Sequence, residues 1–158
     1  MKIKSVSFIL IFLITTFPSC IKQGSEISKL NVVWGSPGED SFGSMPLGNG
    51  DVGSNIWVEN NGDLVFYISK VDAFDCNHNL PKLGRVRIKA EPAMVPNPFK
   101  QTLCLRDASI LIRSGDVKLR IWVDANNPLI NIEGKSRTPR IITVSLESIR
   151  PLKSSSET

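Results

Sequence analysis

Two acidic side chains and a cation follow a predicted strand within one short run. Lys70, Asp72 and Asp75 lie in the run KVDAFD, which also contains the aromatic Phe74. Carboxylates accept hydrogen bonds from sugar hydroxyls, and an aromatic ring covers the apolar face of a sugar. The run is therefore typical of a sugar-binding edge. The alternative is a solvated loop in which Asp72 pairs with Lys70 and Asp75 caps a turn.

A glycine-rich loop, Met45 to Gly50, lies upstream of this run. A phosphate-binding loop or a dinucleotide fingerprint follows a strand, opens a helix, and carries Lys-Ser or a third Gly at fixed spacing. The loop here has none of these features and precedes a predicted strand. We expect its glycines to permit positive φ and close backbone approach, with Asn49 at the tip of a tight strand-entry turn.

Metal and triad chemistry find little support in the sequence. Residues 75–79 carry oxygen ligands at alternate positions, as an EF-hand loop does, but Leu80 replaces the required Gly and Val86 replaces the bidentate Glu. His78 is the single histidine, which disfavours both a zinc site and a Ser-His-Asp hydrolase. We therefore expect no metal and no cofactor.

The elements that must position these residues are short strands. Apolar and polar residues alternate in Leu83 to Ala90 and in Val117 to Asp124, while Asp63 to Ser69 is apolar on both faces and is predicted to be buried on both sides. Arg85, Arg87 and Lys89 fall on the solvent face. We count about eight such strands and no sustained helical period.

Turn signals connect these strands. Asn61-Gly62 predicts a hairpin with a type I′ turn, and Gly115-Asp116 predicts a second hairpin. The fold class that follows is all-β, an antiparallel two-sheet β-sandwich over residues 30–150.

The N-terminal segment is typical of an export signal. Lys2 and Lys4 precede the apolar run Val6 to Ile14, which is too short to span a membrane. Ser19-Cys20 then resembles a bacterial lipoprotein signal, which predicts residues 1–19 as signal peptide and Cys20 as the lipidated N-terminus. Ordinary cleavage near Ser19 is the alternative. We expect a location in the periplasm or outer membrane.

The segments that flank the predicted domain are polar. Residues 20–29 are expected to form a tether, and residues 151–158 a polar tail. An exported compartment permits a disulfide between Cys76 and Cys104, although Cys104 also fits a buried free thiol between two leucines. Both possibilities stay open at this stage.

The charge pattern disfavours nucleic acid as a partner. The net charge is +4, and the cations of the predicted strands alternate with apolar residues instead of forming a stripe with aromatics. We expect no nucleic-acid binding.

Several motifs carry a family resemblance. The run Met45 to Gly53, MPLGNGDVG, resembles a signature near the start of the α-L-fucosidases and galactosidases of glycoside hydrolase family ninety-five. A longer set of motifs, spread over residues 33–147, is similar to an uncharacterised N-terminal domain of related Bacteroidetes lipoproteins. That set comprises Trp34, Gly43 to Asp51, Trp57, Tyr67 to Lys70, Asp72 to Asp75, Leu83 to Arg87 and Trp122 to Asn126.

This resemblance implies a β-sandwich that precedes a catalytic (α/α)6 barrel, which supplies the catalytic carboxylates. The chain is then expected to be a fragment that stops before the barrel, with no catalytic residue of its own and with carbohydrate, of plant or host origin, as partner. The residues implied to position substrate at the domain interface are Asn49, Asp51, Lys70, Asp72 and Asp75. A self-sufficient carbohydrate-binding or structural surface lipoprotein is the alternative.

Overall fold

The computed structural model describes residues 23–74, 76–79, 81–94 and 97–149. One short helix, α1 (Gln23–Ser28), precedes ten strands, and a 3₁₀ turn, Ser41–Gly43, lies between the first two of them. The strands are β1 (Val32–Trp34), β2 (Met45–Gly48), β3 (Val52–Val58), β4 (Leu64–Lys70), β5 (Gly84–Glu91), β6 (Phe99–Cys104), β7 (Ser109–Ser114), β8 (Val117–Val123), β9 (Ile130–Lys135) and β10 (Ile141–Glu147).

The strands form two five-stranded antiparallel sheets. One sheet has the order β1-β6-β7-β8-β9 and the other has the order β10-β5-β4-β3-β2. Within each sheet four strands that are consecutive in sequence pair as a meander, and the first and last strands of the chain complete the outer edges. The two sheets pack face to face, so the predicted antiparallel β-sandwich is confirmed.

The core lies between the sheets and comes from alternate residues of each strand. Ile56 and Val58 of β3 face Ile110, Ile112 and Ile121 of the other sheet, and each of these side chains is at most 1% exposed. Successive side chains of a strand point to opposite faces, and the period of two in the sequence therefore located these core positions. The predicted inward alternation of β5 and β8 is confirmed by the same cluster.

The predicted burial of β4 is confirmed for the first half of the strand. Leu64, Val65 and Phe66 are all buried, although they point alternately to the core and to the outer face. Val65 pairs on the outer face with Trp57 of β3, which is also buried. From Tyr67 onward the strand is half-exposed, so it is buried on both sides only where it begins.

The Met45 to Gly50 loop corrects one sequence expectation. Met45 to Gly48 is a strand, β2, and not part of the loop. The tight turn expected at Asn49 is present, with Gly50 at positive φ. Met45 and Leu47 are buried and alternate with exposed Pro46, which is tolerated because β2 is an edge strand and needs no outward N–H from that residue. Only Asn49 to Asp51 form the turn into β3.

The Asn61-Gly62 hairpin is present, but its predicted turn type is wrong. A type I′ turn needs positive φ at two successive residues, whereas here Gly62 has φ +87° and Asn61 does not. The N–H of Gly62 and the N–H of Glu59 instead bond the carbonyls of Glu59 and Asp63, both at 2.9 Å. The connection is a three-residue loop that ends in a left-handed glycine. The Gly115-Asp116 hairpin is present as predicted.

The predicted solvent face of β5 needs a second correction. The Arg87 side chain is only 14% exposed, because Glu59, Asp63 and Glu147 surround its guanidinium at 2.6 to 2.9 Å. These bonds, led by the one to Glu59, raise the pKa of Arg87 above its already high ordinary value. Arg87 therefore joins the β3–β4 turn to β5 and β10.

Both cysteines in the described residues are free thiols. Cys76 is exposed and Cys104 is buried, so the structure has the buried thiol and not the disulfide. Burial raises the pKa of Cys104. The predicted lipidation site Cys20 and the signal peptide lie outside the described residues, as does the polar tail.

The predicted tether contains the six-residue helix α1. Glu26 of this helix forms an exposed ion pair at 2.7 Å with Lys29, the first residue after it. Within the described ranges, no helix is long and apolar enough to cross a membrane.

Candidate functional site

Asn49 occupies the turn between β2 and β3 and uses its whole side-chain amide. Its Oδ1 accepts the N–H groups of Asp51 and Val52 at 2.9 and 2.8 Å, which closes the turn. Its Nδ2 donates to the carbonyl oxygens of Asp124 and Asn127 at 2.7 and 3.1 Å. Gly50 makes the turn possible with φ +93°. Asn49 thus joins the edge of one sheet to the β8–β9 loop of the other.

Lys70, at the end of β4, joins the two acidic candidates. Its Nζ lies 2.9 Å from Asp51 Oδ1 and 2.8 Å from Asp72 Oδ2. The N–H of Val71 also donates to the carbonyl oxygen of Asp51 at 2.9 Å, which fixes the β2–β3 turn against the end of β4. The structure therefore brings together four of the five predicted site residues, which we call the rim cluster: Asn49, Asp51, Lys70 and Asp72. Asp75 lies outside the described residues.

Exposure within the rim cluster increases outward from the strands. The side chains of Lys70, Asp51 and Asp72 are 33%, 42% and 69% exposed. Phe74, two residues beyond Asp72, is an exposed aromatic at 60%. Asn49 is half-buried beneath them. The predicted pairing of Asp72 with Lys70 is present, and it leaves both carboxylates accessible to solvent.

Asp124, in the β8–β9 loop, shapes this end of the sandwich. Its carboxylate accepts the N–H groups of Asn126 and Asn127 and the Nδ2 of Asn127, each at 2.9 Å, and these bonds lower its pKa. The resulting turn presents the two backbone carbonyls that Asn49 binds. Sequence analysis did not include Asp124 among the site residues. An aspartate with asparagines two and three residues after it is an Asx-turn signal, but it does not reveal the contact with Asn49.

A mainly apolar crevice of about 410 Å³ adjoins the rim cluster. Lys70 lies at its edge and is its charged lining residue within the described chain. The other lining residues are Val52, Phe66, Ile68, Leu83, Val86, Pro128, Leu129 and Ile130. The crevice separates the sheets at the same end as the β8–β9 loop, so an apolar surface lies next to the exposed carboxylates.

Comparison with protein families identifies the family of this chain. The sequence model of one family, described as Domain of unknown function (DUF5703), matches residues 33–157. The chain belongs to this family. The matched model is that of the N-terminal domain of DUF5703. No curated protein and no solved structure matches the chain.

The charges of this DUF5703 domain determine what its rim cluster can do. The bond to Asp72, followed by that to Asp51, raises the pKa of Lys70, and the bond from Lys70 lowers the pKa of Asp72. Asp72 is therefore ionised at neutral pH, whereas a glycosidase acid needs a raised pKa to hold its proton. The carboxylates of the rim cluster can accept hydrogen bonds from hydroxyl groups, but Asp72 is unsuited to donate a proton.

Metal binding has no comparable support in the DUF5703 domain. Across the described ranges, no group of three His, Cys, Asp or Glu side chains could hold a metal ion. The two carboxylates of the rim cluster, Asp51 and Asp72, both bind the ammonium group of Lys70.

Proposed function

We propose that this DUF5703 domain is the non-catalytic β-sandwich of an exported, glycoside-hydrolase-like protein, and that its rim cluster contacts carbohydrate. The observation that supports this most directly is the arrangement of Asp51 and Asp72, held on either side of Lys70, with exposed Phe74 close in sequence. Sugar sites combine oriented acceptors with an aromatic face, because the hydroxyls and the C–H face of a sugar need different partners.

The residues of the rim cluster and the nearby Phe74 have different roles in this proposal. Asp72 and Asp51 accept hydroxyl hydrogens, since a carboxylate has about four acceptor positions and Lys70 occupies one on each. Phe74 stacks on the sugar ring. Asn49 positions the others and does not touch the sugar, because its two amide hydrogens and its oxygen already bond the backbone.

The wider protein context is part of the proposal. The similarity of MPLGNGDVG to the family ninety-five fucosidases and galactosidases supports a protein in which the sandwich packs against an (α/α)6 catalytic barrel, supplied in the same protein or in trans. The N-terminal pattern supports a Bacteroidetes-type lipoprotein anchored through Cys20 in the periplasm or outer membrane. The substrate would then be a plant or host glycan.

A self-sufficient carbohydrate-binding or structural lipoprotein is the second candidate. It is supported by the core, which joins both sheets in one cluster within residues 45–121 and does not depend on another domain. DNA sequence beyond the codon of Thr158 distinguishes the two candidates. A barrel-coding sequence, in phase or frameshifted, supports the first, and an unrelated gene supports the second.

Binding of the purified chain to a glycan array tests the sugar site. Phe74→Ala and Asp72→Asn should each reduce the array signal at least tenfold, because one removes the stacking surface and the other removes a charged acceptor. Glu39→Gln is the matched control, since Glu39 is an exposed acid in the loop that contacts the opposite end of β3. A signal that both variants retain in full, or that the control loses equally, would contradict the assignment of the site.

Lipid anchoring is tested separately. In a bacterial host that processes lipoproteins, the chain should incorporate radiolabelled palmitate and fractionate with membranes. Cys20→Ala should abolish both results. Membrane fractionation without palmitate incorporation, or incorporation that survives Cys20→Ala, would contradict the anchor and leave the sugar site unaffected.

A further inference from the structure

The strands of the described residues leave four sheet edges, and three of these edges resist pairing with another chain. β1 has three residues, and β2 has four and contains Pro46. β9 carries the charged residues Glu133 and Lys135 in its exposed half. Short strands, proline and charge are the usual means by which proteins prevent edge-to-edge association. The fourth edge, β10, has none of these along most of its length.

β10 is long, regular and apolar. Its seven residues pair with β5 in unbroken register and contain no proline, lysine or arginine. Ile142, Val144 and Leu146 are opposite Ala90, Ile88 and Val86, so they belong to the inner, core-side face of the sheet.

These inner-face residues of β10 are nevertheless exposed by 56%, 63% and 76% in chain order. A crevice of about 570 Å³ lies between β10 and the β8 and β9 strands of the opposite sheet, and Ile142 and Val144 line it. Among the described residues, no strand pairs with the outer edge of β10. The strand therefore presents both unpaired backbone groups and an uncovered apolar row.

We propose that β10 pairs with β10 of a second copy of this chain, antiparallel about a twofold axis at Val144. The sequence IITVSLE is nearly palindromic in polarity about that residue. In this register Val144 lies opposite the partner's Val144, and Ile142 lies opposite the partner's Leu146. On the outer face Thr143 lies opposite the partner's Ser145.

This register gives each of the three exposed apolar side chains of the inner face, Ile142, Val144 and Leu146, an apolar neighbour across the new strand pair, which is the unit of sheet stabilisation. At the ends of the pair Ile141 lies opposite the partner's Glu147. The pairing also joins the β10-containing sheet of one copy to the same sheet of the second copy, which gives one continuous sheet. One symmetric contact thereby pairs the backbone groups at the β10 edges of both copies.

The charges at this edge are compatible with a second copy. Glu147 is the one charged residue of β10, and Arg85 and Arg87 of β5 bind its carboxylate at 2.5 and 2.7 Å. The carboxylate is thus neutralised within its own copy and adds no charge repulsion to the pairing. This inference rests on the edge and its sequence symmetry and does not depend on carbohydrate binding.

Cysteine substitution tests the register directly. In an exported chain with Cys20→Ser and Cys76→Ser, Val144→Cys should form a disulfide-linked dimer on mild oxidation, because directly opposed strand residues lie within the separation that a disulfide spans. Ile142→Cys is the matched control. Its distance from the partner's position 142 is about 14 Å, given four residue steps at ~3.4 Å, which exceeds the disulfide limit of about 7 Å.

Non-reducing electrophoresis reports the result. A dimer band for Val144→Cys that is at least tenfold stronger than that for Ile142→Cys supports the register. Equal bands for both, or no band for Val144→Cys, would overturn it.

Association in solution provides the second test. Light scattering over a concentration series should show a dimer, and Val144→Lys should weaken it at least tenfold because two lysines would face each other at the axis. Val33→Lys is the control, since Val33 is a comparably exposed valine, at 51%, on the β1 edge. Far-ultraviolet circular dichroism checks that both variants fold. A chain that is monomeric at every concentration, or open-ended aggregates unaffected by Val144→Lys, would overturn the proposal.

Discussion

Replacement of Asn49 by Asp separates the two functions that this side chain combines. The change keeps an oxygen in the place of Oδ1, where it accepts the N–H groups of Asp51 and Val52. It replaces the donor Nδ2 with a second oxygen, which then faces the carbonyl oxygens of Asp124 and Asn127. The β2–β3 turn should therefore form, while its connection to the β8–β9 loop is lost.

The expected loss of stability follows from the two bonds. A typical hydrogen bond contributes about 0.5–1.5 kcal/mol net, so the loss of both donors costs about 1–3 kcal/mol. The new charge lies between carbonyl oxygens and next to Asp51, which places Asn49→Asp in the upper half of that range. Asn49→Ala also removes the cap of the turn, which adds about 1 kcal/mol.

Urea unfolding at neutral pH, followed by the fluorescence of buried Trp57, measures this loss. For a slope of about 1–3 kcal/mol per molar, a loss of about 2–3 kcal/mol lowers the midpoint by about 0.7–3 M. Asn60→Asp is the control, because Asn60 is an exposed asparagine in the β3–β4 turn. If Asn49→Asp unfolds at the same urea concentration as Asn60→Asp, Asn49 does not join the two sheets. If it also abolishes glycan binding at full stability, Asn49 belongs to the sugar site.

Three further predictions test other parts of the structure. The arginines of β5 lower the pKa of Glu147 below its ordinary value of 4.5. The contribution of Glu147 to the free energy of unfolding should therefore be fully present above about pH 5 and be lost as the pH falls through the lowered pKa, so Glu147→Gln should reduce the acid dependence of stability in urea titrations. Gly62→Ala should destabilise the fold by more than about 2 kcal/mol, because the new Cβ would clash with the backbone of Met94 and φ is +87°. Gly50→Ala should cost only about 1 kcal/mol, because φ is +93° but no atom lies near the new Cβ. Thermal unfolding of the two variants measures the difference. Cys76 should react with a thiol reagent within the native protein, and Cys104 only at the rate of unfolding, as measured by mass spectrometry.

The parts of the fold that could be predicted are those that short-range chemistry decides. Alternation with a period of two located the inner face of β3, β5 and β8, because burial on one side of a sheet imposes that period. Glycines with positive φ located both hairpins, Gly62 and Gly115. The clustering of Asp51, Lys70 and Asp72 also follows from local pairing, since β3 and β4 form one hairpin and bring Val52 opposite Lys70.

The parts that could not be predicted depend on contacts between residues distant in sequence. Asn49 finds its partners 75 and 78 residues away, and the sequence contains no sign of which carbonyls meet it. Arg87 appeared to be a solvent-facing residue because its own strand alternates. Its burial depends on Glu59 and Glu147, which come from the β3–β4 turn and from β10. Position within a strand specifies a face, but only the fold specifies what covers that face.

The rim cluster could bind a sugar through Asp72 only while this carboxylate is ionised, and the pH dependence of binding tests this requirement. The ion pair with Lys70 lowers the pKa of Asp72 below 3.8, so this acceptor stays ionised well below neutral pH. Glycan binding through Asp72 should therefore be unchanged between pH 7 and pH 5, as measured by isothermal titration calorimetry with a glycan identified on the array. It should weaken only near pH 4 or below. Lys70→Ala should raise the pH at which binding weakens, because Asp72 then loses its cation. Lys82→Ala is the control and should leave that pH unchanged, because Lys82 is an exposed lysine that contacts the ring of Tyr67. Binding that weakens at pH 6 in the unmodified chain would show that another group, and not the Asp72 carboxylate, controls the site.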